Sequence, residues 1–170
     1  KQGRNAAPVP VFKNVLKNCA TVDEALLYLK KYYIPFIKSV QIILADAQGS
    51  YAVIDLNGVV EKGMLSEGYK IITNFRVSDN IHFCYRYDLT ASLLEKEFSN
   101  SKTEFENILF TARQTFPGAT VYSTISELSS QKINIYYNHQ FKNRIEIDLK
   151  KSLQEGKKEV VGLENMFPKR

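Results

Sequence analysis

The turns between the short β-rich runs of this chain constrain its fold more than any other feature. Residues 39–46 and 51–56 are strand-like, with Asp46-Ala47-Gln48-Gly49 between them, and Asn57-Gly58 separates the second run from Val59-Val60. Connections this short join antiparallel neighbours, because a parallel crossover needs a dozen residues or more. Glycine in both turns supplies the positive φ that tight hairpins demand. After a loop over 63–68, a fourth strand is expected at 69–73. A second set of strands is expected at 119–128, 132–137 and 144–149, turning at Ser129-Ser130 and over 138–143.

Helical spacing fills the gaps between these sets. Val11, Val15, Leu16 and Cys19 share one face of a short helix. Thr21-Val22-Asp23-Glu24 is a capping box, in which Thr21 caps and Glu24 reaches back. Val22, Ala25, Leu26, Leu29 and Tyr33 continue the apolar stripe, which predicts a helix to about Tyr32, closed before Pro35. Residues 75–87 read as irregular, and 88–98 as a helix through Leu89, Leu93, Leu94 and Phe98. Ser101-Lys102-Thr103-Glu104 is a second capping box. It opens a helix that buries Phe105, Ile108, Leu109 and Ala112 and ends at Pro117-Gly118. Pro8 and Pro10 make residues 1–10 an arm, and residues 150–170 read as a basic tail. The order of helices, meander, helices, meander specifies an α+β arrangement with no parallel βαβ sheet.

Several function classes find no support. No apolar run approaches the roughly 20 residues that cross a bilayer, so no membrane span is expected. Residues 150–170 hold six basic and three acidic residues, which supply +3 of the net charge of +5. The other cations are scattered without a basic-aromatic platform, so nucleic acid is not an expected partner. Cys19 and Cys84 lie in apolar patterns and form no disulfide framework. Neither a zinc-like cluster nor a Gly-rich phosphate loop is present, so no metal or cofactor is expected. His82 is expected to be a packed or loop residue, and His139 a turn residue. Asp46 and Asp55 are expected to be solvated turn or strand-edge carboxylates, and Tyr136-Tyr137 to be sheet packing.

One run invites chemistry. Ile72-Thr73-Asn74-Phe75 ends an apolar stretch in a small amide, which at the mouth of a sheet can donate to a developing oxyanion. The same Thr-Asn also suits a strand end closed by an Asx-turn.

Five pieces, in order, carry a resemblance. They are Thr21-Val22-Asp23-Glu24-Ala25, the run from Ile43 through Asp46-Ala47-Gln48-Gly49 to Asp55, Ile72-Thr73-Asn74-Phe75, Arg86-Tyr87, and Thr120-Val121-Tyr122-Ser123-Thr124-Ile125. Over about residues 11–150 the chain resembles the choloylglycine hydrolase and penicillin V acylase family. It is most similar to the branch of linear amide C–N hydrolases and acyl-CoA:6-aminopenicillanate acyltransferase-like proteins. The resemblance implies an N-terminal-nucleophile hydrolase fold, a four-layer αββα sandwich of which residues 1–170 supply the second half of a single domain. It implies cleavage of a small-molecule N-acyl amide through a thioester, with an N-terminal cysteine whose own α-amine is the base. It implies no cofactor. Neither Cys19 nor Cys84 matches that nucleophile, and Lys1 stands first. The expected partner is therefore an upstream chain of the same precursor that bears the N-terminal Cys. By the same resemblance, Asn74 is expected in the oxyanion hole and Arg86 beside the nucleophile sulfur, favouring thiolate. Phe75 and Tyr87, each next to one of these, are expected to line an acyl pocket. Two other readings stand beside the amidase: a non-catalytic α+β interaction module, and a pseudoenzyme of the same fold.

Overall fold

Thr21 begins the principal helix of the N-terminal half, as its capping box predicts. The computed structural model describes residues 5–6, 11–66, 68–79, 83–96, 99–116, 118–138, 140–156 and 162–167. The chain divides into two compact units, Lys1–Cys84 and Tyr85–Arg170. Both mix helices with a three-stranded antiparallel sheet, so the α+β class expected from the sequence is the class observed. The expectations placed on Pro8, Pro10, His82, Phe98, Pro117 and His139 lie outside the described residues.

In the first unit, β1 (Asn5–Ala6) leads to α1 (Val11–Asn18) and α2 (Val22–Leu29). Thr21 Oγ1 accepts from the Glu24 N–H, and the Glu24 carboxylate accepts from the Thr21 N–H, each at 3.2 Å. The helix stops at Leu29, short of the expected Tyr32, because β2 (Tyr32–Tyr33) pairs in parallel with β1. A 3₁₀ turn over Pro35–Lys38 follows. Then β3 (Ile42–Ala45), β4 (Ser50–Asp55) and β5 (Gly58–Met64) form a sheet in sequential order. The two turns have Gly49 at φ +87° and Gly58 at φ +97°, as the turn residues predict.

Register explains the core. Ile42 pairs with Ile54 and Leu44 with Ala52, so these four share one face of the sheet. Ala52 and Ile54 are buried with Val11, Val15, Val22, Ala25, Leu26, Leu29 and Ile34, and Leu44 packs against them. Each fully buried Val, Leu or Ile contributes roughly 1.5–3 kcal/mol.

The opposite face carries Tyr51, Val53 and Asp55, and Lys70 and Ser78 reach it. Lys70 Nζ and Tyr51 Oη both bond the Glu61 carboxylate at 2.5 Å, and the Ser78 hydroxyl donates to Asp55. The strand expected over 69–73 is absent. The Thr73 carbonyl, which a ladder would use, accepts instead from a glutamine side chain, and Lys70 is drawn across the sheet to Glu61.

The second unit opens with α3 (Tyr85–Lys96), which takes in Tyr85, Arg86 and Tyr87, three residues expected to be irregular. In α4 (Lys102–Thr111), Ser101 Oγ accepts from the Glu104 N–H at 3.2 Å. Glu104 reaches back past its cap to the Ser99 N–H, at 2.9 Å. A sheet of β6 (Tyr122–Glu127), β7 (Lys132–Tyr137) and β8 (Arg144–Asp148) follows, again in sequential order. Tyr136 is fully buried in it, stacked 4.8 Å from Phe141, with its hydroxyl donating to Glu106 at 2.6 Å. Burial, reinforced by the Glu106 carboxylate, pushes the phenol well above its ordinary range. Part of the expected tail is helical. Asp148 leaves β8 and accepts from the Lys151 N–H at 2.9 Å, capping α5 (Leu149–Glu155), and α6 (Leu163–Met166) comes later. No helix among the described residues is long and apolar enough to cross a membrane.

Candidate functional site

Gln41 sits one residue before β3, a single polar side chain between Val40 and Ile42. Its Nε2 donates to the Thr73 carbonyl at 2.7 Å and to the Phe75 carbonyl at 2.5 Å. Its Oε1 accepts from the Val77 N–H at 3.1 Å. One amide therefore holds three backbone groups of the segment that contains Asn74. Flipping it would set an oxygen against two carbonyls and an NH2 against an N–H, so the network fixes its orientation. The end of the segment is tied down as well. The Arg76 guanidinium donates to the Lys38 carbonyl, and Ser78 to the Asp55 carboxylate.

Asn74 is exposed between the two tethered carbonyls. It lines an open cleft of about 400 Å³ with Ser39, Val40, Gln41, Thr73, Phe75, Arg76 and Asp79. This lining is mainly polar. Beside Asn74, Thr73 Oγ1 is buried and has no hydrogen-bond partner, an uncommon state for a hydroxyl. Phe75, expected in an acyl pocket, lines this polar cleft instead of an apolar one. The apolar hollow of the same unit, about 420 Å³ between Leu26, Leu29, Ile34, Ile37 and Ile54, holds none of the expected site residues.

Arg86 and Tyr87 stand together in the first turn of α3, both half-buried. Arg86 forms no ion pair among the described residues. The first turn of a helix is the positive end of its dipole, where a cation is disfavoured.

The Cys19 thiol lacks the character of an activated nucleophile. Burial, with Glu24 adding to it, pushes the Cys19 thiol above its ordinary value, against a weaker effect of Lys31. That leaves less thiolate at neutral pH. Neither cysteine is in a disulfide. No group of three His, Cys, Asp or Glu among the described residues could hold a metal ion.

Two carboxylates differ from expectation. Asp46 and Asp55 are buried, at 8 % and 2 % exposure, instead of solvated. Asp46 Oδ2 accepts from the Val22 N–H at 2.9 Å, while Oδ1 accepts from the Gln48 and Ser50 N–H groups at 3.0 and 3.1 Å. Asp55 accepts from the Asn57 N–H at 2.7 Å and from Ser78. These bonds make both residues structural. Sequence reasoning missed Gln41. The available signal was a lone amide inside an apolar run, and its partners lie 32 to 36 residues away.

Among known proteins, no family model matches the chain, and no curated protein and no solved structure matches it significantly.

Proposed function

We propose that the chain is the downstream part of an amidase that cleaves linear N-acyl amides with an N-terminal cysteine. On this reading the two antiparallel sheets belong to a four-layer αββα sandwich, and an upstream segment bearing the Cys completes it. The observation that supports it best is Asn74, exposed in a polar cleft on a segment whose backbone is already tethered. A donor aimed at a developing charge contributes most when it needs no reorganisation during the reaction.

The thiolate of the upstream cysteine attacks the acyl carbonyl, and its α-amine accepts the thiol proton. The carbonyl π pair moves onto oxygen, and that oxyanion accepts from Asn74 Nδ2. As the C–N bond breaks, the α-ammonium protonates the leaving amine, and a thioester remains. Water then adds to the thioester with the α-amine as base, the C–S bond breaks, and the carboxylic acid departs. Arg86 supports the nucleophile by favouring thiolate over thiol.

The test is co-expression with the preceding precursor segment, processed to an N-terminal Cys, and assay on a phenoxyacetyl amide and a glycine-conjugated bile salt. Turnover is expected, and Asn74→Ala should lower kcat by about 10²–10³ with the protein still folded. Absence of turnover on either substrate, or an unchanged kcat in Asn74→Ala, would overturn the reading. The first result would leave a pseudoenzyme or an interaction module.

A further inference from the structure

We infer that Gln41 is the positioning residue of the Asn74 site. The inference rests on the reading of Asn74 as an oxyanion donor and names the group that holds it in place. An amide on a loop is a poor oxyanion donor unless its backbone is fixed, since a displacement of about 1 Å can cost 10²-fold in rate. Residues 73–77 have no sheet ladder to fix them. Gln41 takes that role with three hydrogen bonds, two from its NH2 to the carbonyls on either side of Asn74 and one to its oxygen from Val77.

The clamp is itself mounted on a rigid element. The next residue, Ile42, pairs with Ile54, which is buried in the core. A glutamine meets the geometry where its relatives in size do not. The site needs two donors toward carbonyls and one acceptor toward an N–H, which is the inventory of a primary amide. Both carbonyls beside Asn74 are thereby engaged with Gln41. Arg76 and Asp79 are the charged side chains that line this cleft.

The experiment uses the processed enzyme carrying Gln41→Met, which keeps the length of the side chain and removes every polar group, and Gln41→Glu. Gln41→Met should lower kcat by about 10- to 100-fold with KM within about twofold. The amide resonances of Asn74 and Val77 should shift while those of β4 stay in place. Gln41→Glu supplies a pH signature that a merely structural role lacks. A carboxylate facing two carbonyls favours its protonated form, so its pKa rises. Below that pKa the acid can donate to one carbonyl and accept from Val77, and above it the clamp opens. Activity relative to the parent should therefore recover as pH falls.

If Gln41→Met leaves kcat and both resonances unmoved while Asn74→Ala is defective, the positioning role is overturned and the amidase reading stands. If Gln41→Glu follows the parent at every pH, the positioning role is likewise overturned. If Asn74→Ala is itself without effect, the oxyanion reading fails, and the inference built on it falls with it.

Discussion

A single carboxylate shows how much one residue can hold in this molecule. Asp46 caps α2 through Val22 and closes the β3–β4 turn through Gln48 and Ser50. Its replacement by Ala leaves three backbone N–H groups without that acceptor. We expect a loss of about 2–3 kcal/mol, read as a lower urea midpoint at pH 7. The bond from Val22, helped by those from Ser50, Gln48 and Gly49, holds the carboxyl below its ordinary range against desolvation. A depressed folded pKa contributes stability that is complete above the unfolded value of about 3.9. That stability is lost as pH falls through the folded value. Asp46→Asn should therefore show a flatter acid limb than the parent below about pH 4, measured as urea midpoint against pH.

Elements fall into those that sequence reasoning could place and those it could not, and the difference lies in the range of the interactions. Thr21 and Ser101 announce their helices because cap and partner are three residues apart. The same holds for Gly58, where two strands meet in a tight turn at φ +97°. A Cβ there would meet nothing within 4 Å, so the cost of Gly58→Ala is backbone strain alone. That cost should be about 1–2 kcal/mol, measurable by thermal or urea unfolding. The pattern over 69–73 predicts a fourth strand, and the structure has none there. None forms because Lys70 and the Thr73 carbonyl are claimed by Glu61 and Gln41, nine and 32 residues away. Local patterning also marked Asn74 and not its support, because the bonds that tether its segment come from Gln41. Asp148 failed in another way: it reads as a strand residue and also serves as the cap of α5.

At the scale of the whole chain the two units are unequally supplied with core. The first buries nine apolar residues in one cluster across α1, α2, β4 and the residues between. In the second, the buried apolar residues among those described are Leu94, Ile108 and Tyr136. Amide hydrogen exchange should follow this difference, with β4 the best protected strand and β6 and β8 exchanging faster. Equal protection of the two sheets would count against it.

The Asp46 bond also bears on how the first unit assembles in time. The helix-opening N–H of Val22 finds its acceptor 24 residues downstream, in a turn that must already be closed to present it. Helix α2 and the β3–β4 hairpin are therefore bound into one cooperative step. Neither is complete without the other, so Asp46→Ala should slow folding as well as speed unfolding, read from the two arms of a chevron plot.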